Sequence, residues 1–176
     1  VIKLTPGPPA SSVAASQHWS TLQKALENLV PLAREKGVRL AVETHMRQLT
    51  DTQVSSRRLL DMTPEDTVGL TVDFSNLAFA GDPMPEVISA FGDRIFHTHL
   101  KNGVIDAAGG WCFQALDQGL TDYDEVLPLL RDSGYEGYLS LECLGQDARE
   151  TPRETAVRDL SILTRYLDRT DWKVFR

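Results

Sequence analysis

Cysteine is scarce: Cys112 and Cys143 are the only two among 176 residues. Two thiols do not make a disulfide framework, so the composition points to a reducing, cytoplasmic compartment. Positive charge is also short. Eighteen Lys and Arg against 25 Asp and Glu leave a net charge of −7, which turns away polyanions; neither nucleic acid nor an anionic membrane surface is expected as a main partner. No apolar run is long enough to span a bilayer. Repeats, low-complexity tracts and linkers are missing too, so residues 1–176 read as a single domain with a core of its own. The opening Val1-Ile2-Lys3-Leu4-Thr5 has neither a signal-peptide layout nor an initiator Met, as expected of a fragment or a processed chain.

What is present is a pattern repeated four times. Leu40-Ala41-Val42-Glu43, Leu70-Thr71-Val72-Asp73, Phe96-His97-Thr98-His99 and Leu139-Ser140-Leu141-Glu142 are short and strand-like, and each ends in a residue able to bind a metal. Side chains alternate along a strand. Val42, Leu70, Val72, Phe96, Leu139 and Leu141 are therefore expected on an apolar face. Glu43, Asp73, His99 and Glu142 fall on the other, with Ala41, Thr71, His97 and Ser140 two residues before them. Strands with one apolar side and a polar tip indicate a parallel sheet carrying a site at its carboxyl ends.

The intervening sequence supplies the helices. A strand over 1–5 is stopped by Pro6-Gly7-Pro8-Pro9. A helix over 17–36 places Trp19, Leu22, Leu26, Leu29, Val30 and Ala33 at helical spacing and stops at Gly37. Strand 38–43 is followed by a helix over 50–60, with Val54, Leu59 and Leu60 inward and Asp51 or Thr52 near its cap. Strand 68–73 leads into a loop over 76–85 and a short helix over 86–91. Strand 94–101 leads into a glycine-bearing loop over 102–120, of the length that often carries function. A helix over 123–133, capped by Asp122 and stopped by Gly134, precedes strand 137–142 and a closing helix over 152–167. Five strands alternating with five helices define an α/β fold with a parallel sheet. An open doubly wound sheet and part of a (β/α)8 barrel both satisfy that order.

The four tips are spaced about one strand–helix unit apart, so Glu43, Asp73, His99 and Glu142 can meet. Three carboxylates and an imidazole are oxygen-rich. They favour one divalent ion such as Mn²⁺, Mg²⁺ or Co²⁺, with Zn²⁺ also admissible, over a structural zinc. Glu43 and Glu142 read as an acid/base pair able to move a proton beside a polarised carbonyl, giving isomerisation or epimerisation. If a neighbouring hydroxyl leaves instead, the result is dehydration.

These stretches resemble the xylose isomerase-like TIM-barrel superfamily of sugar and sugar-phosphate isomerases and epimerases. The resemblance rests on Leu40-Ala41-Val42-Glu43-Thr44-His45, Val72-Asp73-Phe74-Ser75-Asn76, His97-Thr98-His99-Leu100-Lys101-Asn102 and the run from Gly134 to Glu142. It covers essentially the whole chain as about the last five strand–helix units of a (β/α)8 TIM barrel. It implies Glu43, Asp73, His99 and Glu142 as metal ligands, Glu43 and Glu142 as the catalytic pair, and a small polyol, sugar or sugar-phosphate substrate. A fuller parent chain, or a partner covering the gap, is expected; a homo-oligomer is compatible with that. Two positions depart from the family's ketose 3-epimerases. Asn76 stands where they have a His, and Ile105 where they have an Arg. The run His99-Leu100-Lys101-Asn102 is closer to the His-x-Lys-Asp of inosose dehydratases, so an inosose-type dehydratase is the alternative activity.

Four further residues are candidates for substrate contact: His45 on the face of Glu43, Asn76 after Asp73, Lys101 beyond His99, and Trp111 in the long loop. Each has a plainer role open to it. His45 could make a structural hydrogen bond, Asn76 could serve a turn, Lys101 could be a solvated loop lysine and Trp111 could pack. His97 reads as a satisfied interior histidine, His18 as surface and Cys143 as core. An abasic-site endonuclease relative needs several zinc ions and more than the four histidines present. A non-catalytic remnant remains the other class, and would bind no metal.

Overall fold

At least one helix separates successive strands of the main sheet, and those strands lie side by side in the order in which they are made. The computed structural model describes residues 1–170 and Trp172. Strands β1 (Ile2–Leu4), β2 (Leu40–Glu43), β3 (Val68–Asp73) and β4 (Ile95–Leu100) pair in parallel. Two strands that follow, β5 (Asn102–Ile105) and β6 (Trp111–Gln114), form a separate antiparallel hairpin, and β7 (Leu139–Leu141) then pairs with β4. The sheet order β1-β2-β3-β4-β7 has no reversal, which excludes a doubly wound sheet, where ligands sit at a switch in strand order. The arrangement is a curled half barrel.

Seven α-helices are found among the described residues: α1 (Ser16–Glu35), α2 (Gln53–Asp61), α3 (Phe74–Ala80), α4 (Met84–Phe91), α5 (Tyr123–Asp132), α6 (Gly145–Glu150) and α7 (Pro152–Arg169). Val42, Leu70, Val72 and Leu100 are buried in one cluster with Trp19, Leu26 and Val30 of α1, Leu59 and Leu60 of α2, and Leu163 of α7. The core therefore lies between sheet and helices. Ala41, Thr71, His97 and Ser140 stand outside that cluster, on the concave face.

Local chemistry explains the ends. Thr52 caps α2: its hydroxyl accepts from Ser55 N (3.1 Å), while Ser55 Oγ accepts from Thr52 N (3.0 Å). This is the reciprocal capping box. Asp51 instead accepts from Ser11 N. Gly37 and Gly134 take positive φ after α1 and α5, the left-handed stop that favours glycine.

Four expectations are corrected. Residues 76–85 are not a loop: Asp73 caps α3, which runs to the left-handed Gly81 and is followed by α4. Residues 102–120 hold the β5–β6 hairpin, whose turn is tied by Asp106 Oδ1 accepting from Ala108 N (2.8 Å) and Gly110 N (2.7 Å). Val54 faces solvent at 74% exposure, because Ser55 and Ser56 take the inward places in the first turn of α2. Phe96 is not on the outer face. A register shift between Leu70 and Thr71 sets Ile95 opposite Leu70. The Phe96 ring then covers Gly69 and lies under the Arg39 guanidinium at 4.3 Å.

Candidate metal centre

The four strand tips converge. Glu43, Asp73, His99 and Glu142 each present a donor atom within 4.8 Å of the others. Parallel pairing produces this directly: Asp73 lies opposite His99, and Glu142 N donates to Leu100 O across β4 and β7.

Two lysines complete the centre. Lys3 Nζ of β1 donates to Glu43 Oε2 (2.8 Å), and His99 Nδ1 lies 3.0 Å from Glu43 Oε1. Lys101 Nζ donates to Glu142 Oε2 and also lies 2.7 Å from Asp73 Oδ2. Apart from this ion pair, the buried Asp73 Oδ2 has no donor among the described residues. Lys101 is only 5% exposed, so it is not a solvated loop lysine. Its backbone is clamped as well: Tyr123 Oη donates to Lys101 O (2.7 Å), and Ser75 Oγ donates to the same carbonyl.

Electrostatics separate the acids. Burial pushes the Glu43 carboxyl up, but hydrogen bonds from His99 and Lys3 outweigh it and hold the pKa at about 2. Burial raises Asp73 above the ordinary range, against the pull of Lys101. Burial lowers Lys101, yet Asp73 and Glu142 more than reverse this and leave it raised. Glu142 is the open member, with 34% of its side chain exposed against 2% for Glu43.

The donor set fits a divalent cation. Three carboxylates crowd one imidazole, and the buried Asp73 Oδ2 has only the Lys101 ammonium as a partner among the described residues. Oxygen-rich sets of this kind suit Mg²⁺ or Mn²⁺ better than a structural Zn²⁺.

The other candidates divide. His45 Nδ1 meets Met46 O at 2.9 Å and is not one of the four converging groups. Asn76 donates from Nδ2 to Thr44 O (2.9 Å), binding α3 to the end of β2; its buried Oδ1 has no partner among the described residues. The Trp111 ring carries the Arg47 guanidinium at 4.4 Å. His97 is satisfied by Ser140 Oγ at 3.0 Å, and burial lowers its pKa. His18 is exposed at the start of α1, and Cys143 is half-buried beside Asp159 of α7. Three contributors escaped the sequence reading: Lys3, Thr44, whose Oγ1 accepts from Asp73 N (2.9 Å), and Tyr123. Lys3 was detectable, since alternation puts it on the concave face of β1.

The family model for the Xylose isomerase-like TIM barrel matches residues 1–166, and the chain belongs to that family. It is 29% identical over 160 residues to an inosose dehydratase of Clostridium perfringens, covering 83% of this chain and 54% of that protein. The chain thus spans about half the length of the curated relatives it matches. A D-tagatose 3-epimerase-like protein superposes with a TM-score of 0.77 at 22% identity, over 96% of this chain and 62% of that one. A Xylose isomerase-like TIM barrel protein from Mycobacterium smegmatis, solved in complex with magnesium, gives a TM-score of 0.67 at 25% identity, over 88% and 53%. No helix among the described residues is long and apolar enough to cross a membrane.

Proposed function

We propose that this chain carries the reacting centre of a divalent-metal-dependent enzyme that moves a proton on the carbon beside a carbonyl of a sugar, sugar phosphate or related polyol. The observation that carries this reading is the meeting of three carboxylates and an imidazole, from four strand tips, within 4.8 Å. A divalent ion held by Glu43, Asp73, His99 and Glu142 would supply Lewis acidity toward a substrate's carbonyl or hydroxyl oxygens.

The chain's own residues account for the rest. Glu142 is the carboxylate open enough to reach a substrate C–H, and so serves as the base. Glu43, held by His99 and Lys3, is the second acid/base group: it delivers a proton to the opposite face when it starts protonated, while Glu142 keeps the one it removed. The Lys101 ammonium, fixed between Asp73 and Glu142, offsets negative charge developing on the substrate. Returning the proton to the opposite face or to the next carbon gives epimerisation or isomerisation.

Dehydration is the second reading. It is favoured by the inosose dehydratase relative and by the run His99-Leu100-Lys101-Asn102. Incubation with an inosose and with a ketohexose in D₂O and Mn²⁺ separates the two. Deuterium entering without loss of water supports the isomerase or epimerase; an enol or enone absorbance supports the dehydratase. If neither substrate exchanges a proton, with no difference between the wild type and Glu142→Gln, the proposal is wrong.

A further inference from the structure

Charge around the acid cluster is already committed. Lys3 is held by Glu43, and Lys101 by Asp73 and Glu142. A substrate bearing an anionic group would need another cation, placed beyond these carboxylates. Arg47 stands in that position. It follows Glu43 by four residues, in the turn that leaves the carboxyl end of β2. Its side chain is exposed, and among the described residues its guanidinium has neither an ion pair nor a hydrogen bond.

The guanidinium nonetheless has an aromatic contact. It lies over the Trp111 ring of β6, 4.4 Å from the centroid. Trp111 and Phe113 are the half-buried residues of β6, while Cys112 and Gln114 are exposed. Alternation therefore sets Trp111 and Phe113 on one face. Phe113 meets Lys101 Nζ at 5.5 Å. The β6 face thus forms a wall running from the acid cluster to Arg47, with one strand repeat, roughly 7 Å, between its two aromatic rings. A guanidinium lying over an aromatic ring keeps its N–H edge free for an oxyanion.

The backbone adds a second observation. Arg47 has φ of 59°, in the left-handed region that favours glycine. Its turn is held from both sides: Gln48 N donates to His45 O, and Gly7 N donates to Gln48 Oε1. A bulky residue kept in such a conformation, where glycine would be relaxed, suggests that its side chain serves function.

We propose that Arg47, presented on Trp111, selects substrates that carry an oxyanion, a carboxylate or a phosphate ester, at the end remote from the reacting carbon. The proposal rests on the acid cluster being the reacting end. It makes Arg47 a specificity-determining residue.

The test measures binding of D-gluconate, D-glucose 6-phosphate and neutral D-glucitol by titration calorimetry, in wild type, Arg47→Gly and Arg47→Met. Glycine relaxes the backbone, so Arg47→Gly is expected to melt at or above the wild-type temperature. Methionine keeps an apolar contact with Trp111 but no charge. The wild type is expected to bind at least one anion about tenfold or more tighter than glucitol, as befits charge-assisted hydrogen bonds. Both variants are expected to lose that preference while glucitol binding stays unchanged. The preferred anion distinguishes carboxylate from phosphate. Three outcomes overturn the proposal: no preference for either anion in the wild type, a preference that survives in both variants, or equal weakening of anions and glucitol, which would mark Arg47 as a latch. A parallel Mg²⁺ titration of the wild type keeps the two readings distinct, since its failure would sink the metal centre and leave the anion preference as measured.

Discussion

Asp73 divides one carboxylate between two tasks. Its Oδ1 accepts from Asn76 N (3.0 Å) and starts α3; its Oδ2 faces the Lys101 ammonium at 2.7 Å. Lys101 is thus the buried counter-charge of a fully buried acid. Removing one partner of such a pair leaves the other uncompensated, at a cost of about 3–5 kcal/mol. Lys101→Met is therefore expected to lower stability in metal-free buffer by several kcal/mol, read from the urea midpoint, with partial recovery in Mg²⁺. An unchanged midpoint would mean that the ion pair contributes nothing. Glu142 is different because it is open to solvent and caps no helix. Glu142→Gln is expected to reduce turnover about 10²-fold or more, the usual reach of a general base. Its melting temperature should stay close to wild type. A residual rate within a few-fold of wild type would assign the proton transfer elsewhere.

At the scale of elements, the centre depends on how closely β3 and β4 approach. An added Cβ at Gly69 would meet Arg94 O at 2.5 Å and the Phe96 ring at 2.6 Å. The obstruction is backbone and a packed aromatic ring, neither of which can swing aside cheaply. Gly69→Ala is expected to destabilise by about 1–3 kcal/mol, as overpacking does, measured by chemical denaturation. Because β3 delivers Asp73 and β4 delivers His99, the same substitution should weaken Mg²⁺ binding in calorimetry. A variant as stable as wild type would show that the strands can separate without consequence. The hairpin follows the same logic in polar form. Asn102 is buried and satisfied: Nδ2 donates to Leu116 O and Thr121 O, and Oδ1 accepts from Gly103 N and Thr121 N. It thus fixes where β5 departs from the tip of β4 and where Trp111 and Phe113 come to lie.

Over the whole molecule, buried tyrosines set an alkaline limit: Tyr123, Tyr135 and Tyr166, the last also raised by burial. Burial pushes Tyr135 up to about 12, with a hydrogen bond from its Oη to Tyr138 O, and burial raises Tyr123 as well. All three are acids whose neutral form the fold prefers. Below the ordinary tyrosine pKa of about 10 the two states hold the same protons, and the stabilisation is fully present. As pH rises from about 10 to 12 the unfolded chain ionises first, and the stabilisation is lost. For Tyr135 a shift of this size corresponds to about 2–3 kcal/mol. Melting temperatures are expected to hold to about pH 10 and fall above it, less steeply in Tyr135→Phe. An identical slope in that variant would remove Tyr135 from the account.

The sequence by itself determined the class of fold and the membership of the acid cluster. Strand alternation and unit-length spacing are local properties, and together they put Glu43, Asp73, His99 and Glu142 on one face and at one end. The glycine stops after α1 and α5 and the cap of α5 were legible for the same reason. Only the tertiary structure decided the rest. The order β1-β2-β3-β4-β7 chose a half barrel over a doubly wound sheet, because helix handedness and sheet curl act between units and leave no mark in any one of them. The shift at Leu70 and Thr71 moved Phe96 to the concave side, since a bulge belongs to a pair of strands and not to either alone. The partners of Lys3 and Lys101 and the stacking of Arg47 on Trp111 join residues far apart in the chain, from 28 positions for Asp73 and Lys101 to 64 for Arg47 and Trp111. Such contacts exist only once the chain has closed around them.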